Sequence, residues 1–423
     1  MLSLEAALAR LLSSVNPPPA TDAENLSTFD TLGRVLAVDV RSGLDVPPGD
    51  NTAMDGYALR CADLVVAGGA RLPLVPLVPG LLVLPVLSLL PISQRIPAGT
   101  VPAPLVPGTA ARIFTGAQIP LGADAVVMQE HCRVECNAVR IETRPTPGQW
   151  IRRRGEDVRQ GDVVLSAGTR LTPQAMGLAA SVGAAVLRVA RRPRVALFST
   201  GDELMMPGEP LKPGAIYNSN RYTLRGLIQQ LGCECRDLGI VPDRLDATRD
   251  ALRRAALDNH LIVTSGGVSV GEEDHLRPAV ALEGSVDLWQ IAIKPGKPLA
   301  FGAVRRGDSS SAHFIGLPGN PVSSWVTFLL LVRPVLLRLQ GASQLEPTTV
   351  RMRADFDWPR PDKRREFLRA RRNAEGGLDL FPNQSSGVLT STVWADVLID
   401  NPASHAIATG DVVDALSITE LLA

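Results

Sequence analysis

The sequence predicts a multidomain α/β plus β protein: a three-layer α/β domain, with a β-rich region before it and a small β-domain or barrel after it. Three observations carry that prediction. The chain has 423 residues, more than one typical hydrophobic core organises, so several domains are expected. Between residues 195 and 317, short apolar runs alternate with helical patterns, as in a mostly parallel sheet covered on both faces. From about residue 47 to 147, and again after Pro347, short β-type runs are punctuated by proline and glycine.

Taken in order, Leu4, Leu8, Leu11, Leu12 and Val15 recur at helical spacing. The chain therefore opens on an amphipathic helix, and with Glu5 and no basic segment before it this stretch does not read as a signal peptide. Asn16 and the prolines 17–19 end the helix. Residues 31–40 read as a helix end followed by a strand. Residues 110–114, 125–128 and 139–141 are strands of the β-rich region. Residues 162–165 form a strand, and 173–182 a helix with Pro173 in its first turn.

The pattern changes at Arg191-Arg192-Pro193. Residues 195–198 are a buried strand, and Leu224, Leu227, Ile228 and Leu231 mark a helical face stopped by Gly232. A strand at 238–241, a helix at 246–257 and a strand at 261–264 follow. Strands are also expected at 286–293, 299–304 and 313–317, then an apolar helix from Pro321. Residues 349–356, 365–371, 378–381 and 411–418 supply the strands of the C-terminal β-domain or barrel.

Composition excludes some functions. Lys+Arg and Asp+Glu are 43 each, so a general nucleic-acid or anionic-membrane surface is not expected. Aromatics at 4% argue against base-stacking platforms. The five cysteines lack framework spacing and fit reduced thiols in the cytoplasm. His131, Cys132 and Cys136 form half a zinc pattern with no second half. Residues 72–92 carry no charge and are long enough for a membrane span. Pro73, Pro76, Pro79, Pro85 and Pro91 would leave such a helix poorly hydrogen-bonded. An extended surface insertion is expected there, with no membrane role.

In sheets of this kind ligands sit beyond the carboxyl ends of the strands. Those ends carry the informative residues. After Leu261-Ile262-Val263, residues 264–274 read T-S-G-G-V-S-V-G-E-E-D. Backbone N–H groups at Ser265, Gly266, Gly267, Ser269 and Gly271 suit a phosphate, and the adjacent carboxylates suit its divalent cation. Asp202, Glu203, Asp243 and Asp274 belong to loops on this edge. Each alone is also a favoured helix cap; together they propose a Mg²⁺ and anion site. Lys294 and Lys297, in I-K-P-G-K-P, place ammonium groups on a stiff turn. Pro318, Gly319, Asn320 and Pro321, in G-L-P-G-N-P-V, form either a second anion nest or a rigid helix entry.

Together these segments resemble the molybdopterin molybdenumtransferase (MoeA) family, which includes the E domain of gephyrin. The matching strings are D-N-T-A-M-D-G-Y-A, R-I-F-T-G-A, G-A-D-A-V-V-M-Q-E, R-R-R-G-E-D, S-T-G-D-E-L, S-G-G-V-S-V-G-E-E-D, I-K-P-G-K-P, G-L-P-G-N-P-V and P-N-Q-S-S-G-V-L. They occur in family order across nearly the whole chain. The resemblance implies a discontinuous N-terminal domain (1–46 and 147–190), a β-rich insertion domain (47–146), a molybdopterin-binding α/β domain (191–341) and a C-terminal β-barrel domain (347–423). It implies insertion of molybdenum from molybdate into adenylylated molybdopterin, with Mg²⁺ assisting and AMP leaving. Molybdopterin adenylyltransferase activity and a gephyrin-like scaffold are the alternatives.

By motif match, Asp55, Thr115, Glu203, Asp243 and Asp274 are the expected catalytic residues, with Glu203, Asp243 and Asp274 as metal ligands. Ser265, Gly266, Gly267, Ser269, Gly271, Lys294, Lys297, Pro318, Gly319, Asn320 and Pro321 are the expected binding residues. The implied partners are a second copy sharing the cleft, the adenylyltransferase and acceptor molybdoenzymes. Residues 72–92 are longer than the family pattern needs.

Overall fold

The computed structural model describes residues 1–64, 88–267, 275–308 and 310–422. They form two compact units: Met1–Asp39, Ser166–Met176 and Val186–Ala423 in the first, Val40–Leu165 and Gly177–Ala185 in the second. The expected multidomain α/β plus β architecture is present.

The first unit centres on a six-stranded mixed sheet in the order Glu234–Val241, Arg194–Thr200, Leu261–Ser265, Ser311–Leu317, Pro298–Arg305, Gly284–Gln290. The first four strands are parallel, and the last two run antiparallel to their neighbours. Strand periodicity sends alternate residues to opposite faces. Val195, Leu197, Leu261, Val263, Ile315 and Leu317 enter one core, against the helix Ser219–Gln230 and the helical run starting at Pro321. Ala196, Phe198, Ile262 and Phe314 enter the other, against the helices Leu245–Asp258 and Leu276–Glu283. Three layers follow from that alternation.

The run Pro321–Leu339 is apolar enough to cross a membrane, yet 89% of its apolar window is buried, so it is a core helix. It passes through a π turn at Phe328–Val332. Pro334 accounts for the widening, since it has no N–H to give and its ring crowds the preceding turn. The opening helix Leu4–Ser14 is capped by Ser3, whose hydroxyl accepts from the Ala6 N–H at 3.1 Å. Its Ala7 and Leu11 enter the larger core with Phe367, Leu398 and Leu416 of the C-terminal sheet.

That C-terminal sheet is a closed barrel. Arg365–Arg372, Gly377–Leu380, Thr349–Ala354, Val412–Ser417 and Val397–Asn401 pair in sequence, and Arg365–Arg372 pairs back with Val397–Asn401. The short strand Ile293–Lys294 adds to it in parallel, with Lys294 in register with Glu366.

The second unit holds a six-stranded sheet in the order Ala125–Met128, Gly56–Leu59, Ala110–Ile113, Ser88–Ile96, Ala138–Ile141, Cys132–Glu135. Gly56 is required there: a Cβ would sit 1.9 Å from the Val127 carbonyl oxygen. The expected insertion at 72–92 is corrected at its end. Residues 88–92 begin the strand Ser88–Ile96, with Ser88 and Leu90 buried, because alternation puts them on the core face. Residues 72–87 lie outside the described residues. The strand expected within 31–40 reduces to the two-residue Val40–Arg41, and the helix before it to the single turn Thr28–Asp30.

Candidate active site

The carboxyl ends of the sheet strands and one edge of the barrel enclose a cleft of about 1070 Å³ in the first unit. Its floor is backbone. The loop after Leu261–Ser265 turns through Gly266 at φ +90° and Gly267 at φ +66°, values that favour glycine. A Cβ on Gly266 would sit 2.9 Å from the Thr200 carbonyl oxygen, and one on Gly319 would lie 3.9 Å from Gly266 Cα. Three loops thus converge backbone to backbone. Gly319 is held from the side, since Asn220 Nδ2 donates to its carbonyl at 2.7 Å. Asn220 follows Asn218, whose Oδ1 accepts from the Arg221 N–H and caps the helix Ser219–Gln230.

Of the expected phosphate donors, the structure brings Ser265, Gly266, Gly267, Gly319 and Asn320 to the cleft. Two are already engaged. The Gly266 N–H donates to Leu317 O at 3.1 Å, and the Ser265 hydroxyl shares a buried 3.1 Å hydrogen bond with Ser199. Gly267, Gly319 and Asn320 keep N–H groups with no acceptor among the described residues. Ser269, Gly271 and Asp274 lie outside the described residues. Pro318 and Pro321 line the cleft, and Pro321 opens its helix at the first position.

Glu203 and Asp243 border the cleft as expected. Asp202 does not; its Oδ1 accepts from the Asp243 N–H at 3.2 Å, fixing that loop. Among the described residues no group of three metal-ligating side chains occurs, so the expected trio is represented by Glu203 and Asp243.

The two lysines differ. Lys294 lines the cleft, but its Nζ lies 3.2 Å from Glu366 Oε1 and 3.4 Å from Asp362 Oδ2. Glu366 is fully buried and also accepts from Trp358 Nε1 at 2.8 Å. The charge expected for an incoming anion is therefore largely matched within the protein. Lys297 is exposed and has no carboxylate partner among the described residues.

The barrel wall was missed by sequence reasoning. It presents Arg364, Gln384, Ser385, Ser386 and Gly387. Arg364 donates to Asp362, and this holds the Asp362 carboxyl well below the usual carboxylate range. Behind the 384–387 loop lies Arg369, 1% exposed, donating to Ser391 Oγ and to the carbonyls of Phe367 and Ser385. Burial pushes its pKa down to about 10. Gln384 closes the loop, with Oε1 accepting from the Arg369 N–H and Nε2 donating to Arg369 O, both at 2.9 Å. The string P-N-Q-S-S-G-V-L was the available signal; I-Y-N-S-N at 216–220 was the other.

Asp55 and Thr115 belong to the second unit. They meet: Asp55 Oδ1 accepts from both the N–H and the hydroxyl of Thr115 at 2.7 Å. Those bonds lower the Asp55 pKa.

A polar cleft at the carboxyl edge of an α/β sheet, lined by two carboxylates and by backbone N–H groups and a lysine that have no partner among the described residues, defines a protein that handles anionic, phosphate-type small molecules. The comparisons with known proteins narrow the class. Residues 2–183 match the MoeA N-terminal region (domain I and II), residues 196–338 a probable molybdopterin binding domain, and residues 351–418 the MoeA C-terminal region (domain IV). The chain belongs to the MoeA family. It is 41% identical over 345 residues to a molybdopterin molybdenumtransferase of Haemophilus influenzae, covering 81% of this chain and 79% of that one. It is 37% identical over 384 residues to one of Nostoc, covering 89% and 84%. A molybdopterin biosynthesis moeA protein from Pyrococcus horikoshii OT3 superposes with TM-score 0.79 at 28% identity, over 98% of this chain and 100% of that one.

Proposed function

We propose that this chain inserts molybdenum into molybdopterin, the activity that its relatives' names carry. The observation that bears most weight is the cleft: it joins the glycine loop, both lysines, Glu203, Asp243 and the 318–321 turn in one cavity. In the finer reading the substrate is adenylylated molybdopterin, molybdate supplies the metal and AMP leaves. The N–H groups of Gly267, Gly319 and Asn320 bind phosphate oxygens, and Lys297 neutralises the charge that grows as the phosphoanhydride breaks. Lys294, held by Glu366, orients the turn that carries Lys297. Mg²⁺ fits the donor set, because it is commonly held by one or two carboxylates plus substrate phosphates. Glu203 and Asp243 would hold it, and when bound it supplies charge neutralisation at the phosphates.

The finer reading also includes a homodimer, with Asp55 and Thr115 contributed to each site by the second copy. Its support is the family resemblance and the pre-formed Asp55–Thr115 pair. The test combines purified protein, adenylylated molybdopterin, Mg²⁺ and molybdate. Molybdate-dependent AMP release is expected, and its absence refutes the reading.

A further inference from the structure

On the second unit, three neighbouring strands place Arg95, Arg112 and Tyr57 in direct register. The next residues, Ile96 and Ile113, are also paired and lie buried in the core on the opposite face. Alternation therefore fixes both arginines on the other face, with Phe114 two positions beyond Arg112. The Arg95 and Arg112 guanidinium groups lie 4.5 and 4.4 Å from the centre of the Phe114 ring. Arg112 also lies 5.3 Å from the Tyr57 ring centre.

Like charges directly opposite one another in a sheet repel, and cation–π attraction to a shared ring offsets part of that cost. No carboxylate forms an ion pair with either arginine among the described residues. Arg112 donates to Gly56 O at 3.0 Å and to Gln129 Oε1 at 2.7 Å, so its fork is already oriented. Arg95 is exposed and has no acceptor among the described residues. Asp55 feels the Arg112 charge but gives Oδ1 to Thr115. In a chain of zero formal net charge, two adjacent cations stacked on one ring, Arg95 exposed and Arg112 half-buried, form a built feature.

We propose that the Arg95–Phe114–Arg112 stack is a binding site for a tetrahedral oxyanion. Resting on the proposed function, that oxyanion is either the phosphate of the adenylylated substrate or molybdate itself. Guanidinium forks match the oxygens of either anion. The stack holds them in place before the ligand arrives, and binding relieves the cross-strand repulsion.

The experiment measures binding of AMP and of molybdate separately, by calorimetry, to the full chain and to its Arg95→Glu and Arg95→Lys variants. Arg95 makes no backbone hydrogen bond through its side chain, so unchanged melting temperatures are expected. Arg95→Glu should weaken one ligand at least tenfold, with Arg95→Lys intermediate. Weakening confined to AMP assigns the phosphate, and weakening confined to molybdate assigns the metal oxyanion. Equal binding by wild type and Arg95→Glu, or no binding of either ligand to wild type, overturns the site. Turnover by the wild type is scored separately: AMP release without any effect of Arg95→Glu sinks this site alone, whereas no AMP release sinks the proposed function.

Discussion

The floor and the barrel wall of the cleft are built by opposite means. The floor is three loops whose backbones touch at Thr200, Gly266 and Gly319, and its donors are main-chain N–H groups. The wall is held by charged and polar side chains: buried Glu366 under Lys294, buried Arg369 behind the 384–387 loop, and half-buried Gln384 closing that loop. A floor of backbone tolerates little change of shape but depends on few partners. A wall of buried polar groups depends on every partner being present, because an orphaned one costs its full desolvation.

The wall is most vulnerable at Glu366. Glu366→Ala leaves the Trp358 N–H without its acceptor and the Lys294 ammonium without its nearest carboxylate. A loss of about 3 kcal/mol in unfolding free energy is expected, read by urea denaturation; a loss under about 1 kcal/mol would show that the wall does not depend on this group. Gly266→Ala tests the floor. Its φ of +90° and the 2.9 Å approach of Thr200 O should cost about 2 kcal/mol, with phosphate-ligand affinity falling as the loops part. A variant as stable as wild type would mean the loops move apart freely.

The same contrast explains what was legible in the sequence. The floor could be read because its physics is local: a strand, two glycines, a proline-flanked turn. The apolar runs at 195–198 and 261–264, alternating with helical patterns, likewise announced the sheet covered on both faces that makes three layers. The pairing that holds the wall could not be read, since Lys294 and Glu366 are 72 residues apart and nothing near either names the other. Glycines also suggested more than they deliver. The Gly266 N–H, expected to face a ligand, is consumed by Leu317 O, a pairing set by the register between the strands Leu261–Ser265 and Ser311–Leu317.

The two lysines of I-K-P-G-K-P divide the two roles within one turn, since Lys294 belongs to the wall and Lys297 to the open cleft. Lys297→Ala should lower kcat/KM about tenfold, about 1.4 kcal/mol of transition-state stabilisation, with the melting temperature unchanged. Lys294→Ala should lower the melting temperature, because Glu366 is then buried without its cation. Equal thermal losses in the two variants would erase the distinction.

The smallest effect is expected at Asp362, where the wall meets solvent. Arg364 lowers its pKa below the ordinary 3.8, so the folded state binds its proton less readily than the unfolded chain. The stabilisation is then fully present above about pH 4 and is lost as pH falls through the lowered folded value. Both partners keep 24% side-chain exposure, and solvent screening limits the pair to about 1 kcal/mol. Asp362→Asn should therefore be slightly less stable than wild type at pH 7, with the gap closing below pH 3.8, the ordinary aspartate value. A gap that stays constant from pH 7 to the acid limit would mean that Asp362 serves the wall by shape and not by charge. Lys294 would then rely on Glu366 alone.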